Sequence, residues 1–351
     1  MKIQAAVLEA FCLDALRSVG VGDADARTAT DALVTADTWG TFTHGTKLLR
    51  GYVRRLRGGG LRRDGRPRVV AEGPAWARVD GDSSLGAVTS VFAMRVAMAK
   101  AKTAGIGYAG VFNTCHFGAA GYYASLAAAE NLIGIVMAND IPTVNVPGAR
   151  RAVLGSNPFA FAAPAGDERP ILFDIATSTV AGGKVFAAAA RGQSIPGHWL
   201  LDADARPTTD PEQFSQGGSL TPMAGYKGYG FAFMVETLSA ILTGAAITGQ
   251  VRHWMFSDPS QTTGHGTAFL AVNIESMMPA AEFRKRMDQT IREVRASEKA
   301  PGAGRVWLPG EMEWERRERA LAEGLELPSD VIASLHGLAE DLGLDFSRLG
   351  C

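Results

Sequence analysis

Between residues 69 and 275 the chain alternates short β-rich runs ("WARVDG", "IGIVMAND", "FAFAAP", "ILFDIAT", "AFLAVNI") with helical ones, whereas both ends are helical. Such runs, apolar, partly β-branched and bounded by turn signals, are too short for helices and suit a sheet. A sheet must cover its apolar faces, and the alternating segments supply helices to do so. The predicted class is therefore α/β (mixed α+β). Residues 73–275 are expected to form a mixed-sheet domain, and 1–72 plus 276–351 a helical domain built from both chain ends.

Within that middle, "AGIGYAGVFNTCHFG" (104–118) spaces Gly105, Gly107 and Gly110 as G-x-G-x-x-G. The dinucleotide-binding fingerprint requires a strand before the glycines and a helix after them. Here the order is reversed. Leu85, Val88, Phe92, Val96 and Ala99 recur at helical spacing before the glycines, and "GVFNTC" after them reads as a strand. Gly105 is expected to cap the helix C-terminus, and the fingerprint is set aside. Elsewhere, Asp23 or Asp25 is expected to cap the second helix and Ser329 the last one. "KGYGFAFMVETLSAILTGA" reads as a buried apolar helix, and "DPEQFSQGGSLTPMAGYKG" as a long loop.

Composition narrows the function classes. With 46% hydrophobic and 20% charged residues, 351 residues can bury a large core. A net charge of −1 gives no general pull toward nucleic acid or membrane. The basic stretch from Lys47 to Arg68 holds nine Lys or Arg against one Asp. Leu48, Leu49, Tyr52, Val53 and Leu56 interleave with it at helical spacing, so a solvated helix face is preferred to a nucleic-acid arm. Cys12, Cys115 and Cys351 make neither a metal spacing nor a disulfide framework, which fits a reducing cytoplasm. The N-terminus reads as an amphipathic helix rather than a signal peptide, and no apolar run reaches membrane-spanning length.

Four features carry possible chemistry. His44 lies in "FTHGTK" beside the Thr43 hydroxyl. His116 follows a predicted strand, where open sheets place ligand sites. Asp174 ends another strand, a position suited to accepting ribose hydroxyls, or to capping a helix. Lys227 stands among glycines in "GYKGYG", a cation suited to phosphate or carboxylate. His198, His253, His265 and His336 are given structural roles, although glycines flank His265.

Taken together and in order, "THG" (43–45), "NTCHFGAAGYY" (113–123), "GSNPFAFAAP" (155–164), "FDIATS" (173–178), "GGK" (182–184), "GYKGYG" (225–230) and "LPGE" (308–311) resemble the type-2 malate/L-lactate dehydrogenase family of NAD(P)-dependent oxidoreductases. That family binds its nicotinamide cofactor without the common Rossmann motif, in keeping with the rejected fingerprint. The resemblance implies a homodimer in which residues 73–275 bind NAD(H) or NADP(H), and a hydride passing to or from C2 of a small 2-oxo or 2-hydroxy acid. It implies His44 as proton donor and acceptor, Thr43 orienting it, and His116 shared between catalysis and cofactor site. Phe117, Gly118, Ala119, Ala120, Asp174, Ile175, Ala176, Gly183, Lys227, Arg305, Leu308, Pro309 and Gly310 would hold the cofactor. Ser156, with Tyr52 and Lys47, would touch the substrate.

Two departures stand out. The family's carboxylate-gripping arginine, four residues after the catalytic histidine, is Leu48 here, which cannot form a bidentate pair. Gly182 replaces the arginine that commonly precedes "GK". A cyclic-imine or N-alkyl-imine reductase of the same family is the nearest rival reading, and a cofactor-binding relative with little activity a more distant one. A metal-dependent hydrolase lacks any HxH or HExxH spacing, so no metal is expected. A nucleic-acid binder lacks the charge.

Overall fold

The computed structural model describes residues 2–350; Cys351 lies outside them. The chain opens with helices α1 (Ala5–Ser18), α2 (Asp23–Thr38) and α3 (Leu49–Gly58). A sheet region follows: β1 (Arg68–Glu72), β2 (Trp76–Asp80), α4 (Gly86–Ala104), β3 (Ile106–Thr114), α5 (Ala120–Ala129) and β4 (Leu132–Ala138). Next come β5 (Val144–Asn145), β6 (Ala152–Leu154), β7 (Phe159–Ala163), β8 (Ile171–Ile175) and α6 (Gly182–Ala190). Short strands β9 (Leu200–Leu201), β10 (Pro207–Thr208) and β11 (Ser219–Leu220) precede α7 (Tyr226–Glu236) and the long β12 (His265–Asn273). Helices α8 (Ala280–Arg295), α9 (Glu311–Glu323) and α10 (Ser329–Leu342) complete the chain.

The expected mixed α/β class is what the chain adopts. Seven strands form one sheet in the order β1-β2-β3-β12-β4-β7-β8, and five short ones a second sheet, β10-β9-β11-β5-β6. In the large sheet only β2 and β3 run parallel; β12 inserts antiparallel between β3 and β4. Helix α4 packs on β3 and β12, and α5 on β4 and β7. The two chain ends meet: Ile3 bridges to Leu325, Phe11 packs edge-on against Phe346, and Trp39 against Trp314. The stretch expected as a long loop, 210–228, contains β11, which pairs with β5 and β9.

Each glycine of the rejected fingerprint has a packing reason. Gly105 ends α4 at φ +86°, its N–H donating to the Ala101 carbonyl at 2.8 Å. A Cβ on Gly107 would stand 2.0 Å from the Ala97 carbonyl oxygen, so its absence lets α4 lie on β3. A Cβ on Gly110 would meet the Tyr108 hydroxyl and Thr243 at 2.6 and 2.8 Å.

Three expectations need correction. Gly22, not Asp23 or Asp25, occupies the N-cap of α2, and Pro328, not Ser329, that of α10; neither cap uses a side chain. Asp23 and Asp25 instead favour the first turn by charge against the helix dipole. Helix α7 and the π-turn after it are not buried all round. Ala232, Val235 and Ala240 face the core, while Tyr226, Phe233, Ile241 and Leu242 are more than half exposed.

Gly107→Ala should lower the urea-unfolding free energy by about 2 kcal/mol or more, since the methyl meets backbone rather than a yielding side chain. Gly105→Ala, which meets only the Ser276 side chain at 3.7 Å but sits at positive φ, should cost about 1–2 kcal/mol. The reverse ranking would show that turn conformation, not helix approach, governs this motif.

Candidate active site

His44 sits in a single helical turn, Phe42–His44, between α2 and α3. The turn is pinned from below. Asp37, in the last turn of α2, accepts from the Thr46 amide at 3.0 Å and from the Thr46 hydroxyl at 2.6 Å. Gly45 has no room for a side chain, because a Cβ would lie 1.8 Å from Asp37 Oδ1. Burial pushes the Asp37 carboxyl up to about 7, with the Thr46 bonds pulling the other way. Thr43 Oγ1 and His44 Nδ1 are 2.9 Å apart, which fixes the ring and leaves Nε2 without a partner among the described residues.

His116 follows β3 and stacks on His44, ring centroids 5.7 Å apart and 26° from parallel. It also stacks on Trp254, at 4.6 Å and 15°. Tyr52 on α3 donates its hydroxyl to His116 Nδ1 at 2.8 Å, and the Gly118 N–H faces the same nitrogen at 3.4 Å. Two donors at Nδ1 require it to accept, which assigns the proton of the neutral ring to Nε2. Burial keeps the Tyr52 phenol protonated far above its ordinary range. It also pushes His116 down to about 3, helped by neighbouring His44 and opposed by Asp140. His44 is lowered as well, by burial against the opposing charge of Asp140. Both imidazoles are therefore neutral near pH 7.

The turn after His116 runs through Phe117, Gly118 (φ +84°), Ala119 and Ala120 into α5. A Cβ on Gly118 would come 3.2 Å from the His44 carbonyl, so this turn touches the His44 turn directly. Asp174, on the edge strand β8, accepts from the Gly121 N–H in the first turn of α5 at 2.7 Å. Its carboxyl keeps contact with solvent, yet the surrounding protein raises it to about 6 despite the Gly121 bond. Beyond Ile175 and Ala176, Thr177 donates through both its amide and hydroxyl to the Ser156 carbonyl, each at 2.8 Å. The Met223 amide donates to the Thr177 carbonyl, bringing the start of α7, with exposed Lys227, beside this segment. Gly183, in the first turn of α6, faces Thr43; a Cβ there would be 3.1 Å from Thr43 Cγ2. Leu308, Pro309 and Gly310 strap the outer edge of β8, where the Leu172 amide donates to the Pro309 carbonyl.

Two expected residues are held in ion pairs. Lys47 reaches Asp330 on α10 at 2.6 Å, away from His44. Arg305 pairs with Glu315 and Glu311 and lies over the Trp307 ring at 3.5 Å. Leu48 is buried in the apolar core.

Sequence reasoning missed the far wall of the site. Asp140, two residues past β4, receives the Ser156 hydroxyl at Oδ2 (3.3 Å) and His265 Nε2 at Oδ1 (3.4 Å). His265, read as structural, is buried and hydrogen-bonded through Nδ1 to Thr263. His253, also read as structural, precedes Trp254 in a loop that Arg55 holds. The buried Arg55 guanidinium donates to the carbonyls of Trp254, His253 (2.9 Å) and Gln261 (2.8 Å) and to the Ser257 hydroxyl (2.6 Å). His336 and His198 lie apart, beside Glu340 and Trp199 respectively. The local settings of "CHFG" and "THG" signalled two rings; nothing local in "ANDIP" or "TTGHGT" signalled their neighbours.

A family model described as malate/L-lactate dehydrogenase matches residues 3–336. The chain is 36% identical over 345 residues to a malate dehydrogenase of Pyrococcus horikoshii, covering 96% of this chain and 94% of that protein. It is 34% identical over 324 residues to a Delta(1)-pyrroline-2-carboxylate/Delta(1)-piperideine-2-carboxylate reductase of Pseudomonas putida, covering 92% of each. The solved sulfolactate dehydrogenase of Methanocaldococcus jannaschii superposes with a TM-score of 0.91 at 33% identity, covering 99% of both chains. The chain belongs to the malate/L-lactate dehydrogenase family of oxidoreductases.

A half-buried His116 that stays neutral makes stability pH-dependent. Its folded value of about 3 lies below the ordinary 6.5, so only the unfolded chain takes up the proton between them. Stability from this group is full above pH 6.5 and is lost as pH falls toward 3, by at most about 1.4 kcal/mol per pH unit. Urea unfolding of wild type and His116→Asn from pH 6.5 to 4.5 should show the steeper decline in wild type. Parallel slopes would mean that His116 holds a proton in the fold.

Proposed function

We propose that the chain moves a hydride between a nicotinamide cofactor, NAD(H) or NADP(H), and C2 of a small 2-oxo or 2-hydroxy acid, with His44 as proton donor and acceptor. The observation that carries this reading is the pair of stacked neutral imidazoles, His44 and His116, each with Nδ1 engaged and Nε2 unpartnered among the described residues. In the oxidation direction a neutral imidazole takes the hydroxyl proton as the C2–H bond is broken; in reduction the same nitrogen returns it. The depressed value of His44 favours the base role. Thr43 holds the ring by Nδ1, and Gly183 packs against Thr43. Tyr52 and Trp254 hold His116, whose Nε2–H can donate to the substrate oxygen.

The residues present fit the cofactor. Asp174 offers a solvent-reaching carboxyl for ribose hydroxyls beside the 117–120 turn, which is buried or half-buried and made of small residues after Phe117. We assign Ile175, Ala176, Gly183 and Lys227 to the same site and the 305–310 strap to its far end. Bound there, the nicotinamide supplies or takes the hydride; the protein supplies placement and charge. We place a second copy of the chain on the exposed apolar side of α7, giving a homodimer. Reduction of a cyclic imine is the second reading, because Leu48 fills the position of a carboxylate-gripping arginine and the carboxylate of Asp140 lies beside Ser156.

His44→Ala should lower turnover by about a hundredfold or more while NADH or NADPH still binds in a nicotinamide-fluorescence titration. Unchanged turnover removes His44 from the mechanism.

A further inference from the structure

We infer that Asp140 is the specificity-determining residue of this site and selects a 2-imino acid in its protonated, iminium form over a substrate with a second carboxylate. The inference rests on the hydride-transfer reading above and names its substrate class.

The argument is one of charge and position. Asp140 comes within hydrogen-bond range of Ser156, on the substrate side, and of His265, and its side chain keeps 24% of its surface accessible. Three donors, the Ser156 hydroxyl, the His265 ring and the Ile141 amide, occupy the carboxylate. An ionised carboxylate has about four acceptor positions, so one is left. Burial alone would raise Asp140, but the hydrogen bonds from His265 and the Ile141 N–H oppose it, and the carboxyl lies below its ordinary range. Among the described residues its only ion-pair contact is the His265 ring. Among the described residues no lysine or arginine is hydrogen-bonded or ion-paired to Thr43, His44, His116, Asp140, Ser156 or His265, and the one charged group acting on the His44 ring is Asp140. Lys47 and Arg50 are spent on Asp330 and Asp341, and Leu48 lies in the core.

A second carboxylate entering this site would face a fixed anion in a partly desolvated setting. A protonated nitrogen would instead gain a charge-assisted hydrogen bond. The chemistry balances without a protein acid. Hydride from the reduced cofactor adds to C2 of the C=N⁺ group, the π pair becomes the nitrogen lone pair, and the N–H proton stays on a neutral amine while the cofactor leaves oxidised.

The test compares kcat/KM of the full chain for Δ1-piperideine-2-carboxylate, pyruvate and oxaloacetate, with NADH and with NADPH, in wild type and Asp140→Asn. Wild type should favour the imine over oxaloacetate by at least about tenfold, and Asp140→Asn should cut the imine-to-pyruvate ratio by a similar factor. Cofactor titration of the variant checks that it is folded; should it fail to bind, the wild-type preference decides alone. Preference for oxaloacetate in wild type, or ratios unchanged in the variant, overturns the role of Asp140 and leaves the hydride-transfer reading standing. No cofactor oxidation by wild type with any of the three overturns both.

Discussion

An imidazole stacked on an indole and beside a second imidazole has less water with which to solvate a proton than a free one. That constraint on His116, held at 4.6 Å from Trp254 and 5.7 Å from His44, orders everything around it. Neutral rings need their nitrogens directed by hydrogen bonds rather than by ion pairs, hence the Thr43 and Tyr52 hydroxyls. Charge must then come from elsewhere in the site, and the carboxylates of Asp140 and Asp174 supply it, one near each end of the 117–120 turn and its neighbours.

The sheet explains how these groups meet. Strand β12 lies between β3 and β4, with His265 level with Thr114 and Thr267 level with Ala138. The chain leaves β3 toward His116 and leaves β4 toward Asp140 at the same edge where β12 begins at His265. Three loops from distant parts of the sequence thus open side by side. This is the topological origin of the site, and it requires an antiparallel insertion that a doubly wound sheet does not provide.

The same point marks what could be read beforehand. Short strands, the reversed glycine motif and the ordered family segments made the mixed fold and the His44 and His116 pair legible, because each signal is local. Strand order is not local: nothing in "ANDIP" says that its aspartate will face a histidine 125 residues on. Lys47 was misplaced for a related reason. Its helical position was readable, but its partner, Asp330, lies on a helix from the other chain end. The apolar α7 misled because hydrophobicity alone does not tell a buried helix from one with an uncovered face.

Arg55 closes the back of the ring column, and its partners are all backbone carbonyls and one hydroxyl. None of these groups gains or loses a proton in the range where proteins function, and a guanidinium does not either. Arg55's own grip on the wall that carries Trp254 is thus indifferent to pH and, being buried, little screened by salt. The second anchor of that wall is not: His253 Nδ1 accepts from the Met255 and Phe256 amides, and a proton on that nitrogen would cost both bonds. Acid therefore reaches the Trp254 loop through one imidazole, while the guanidinium holds the rest.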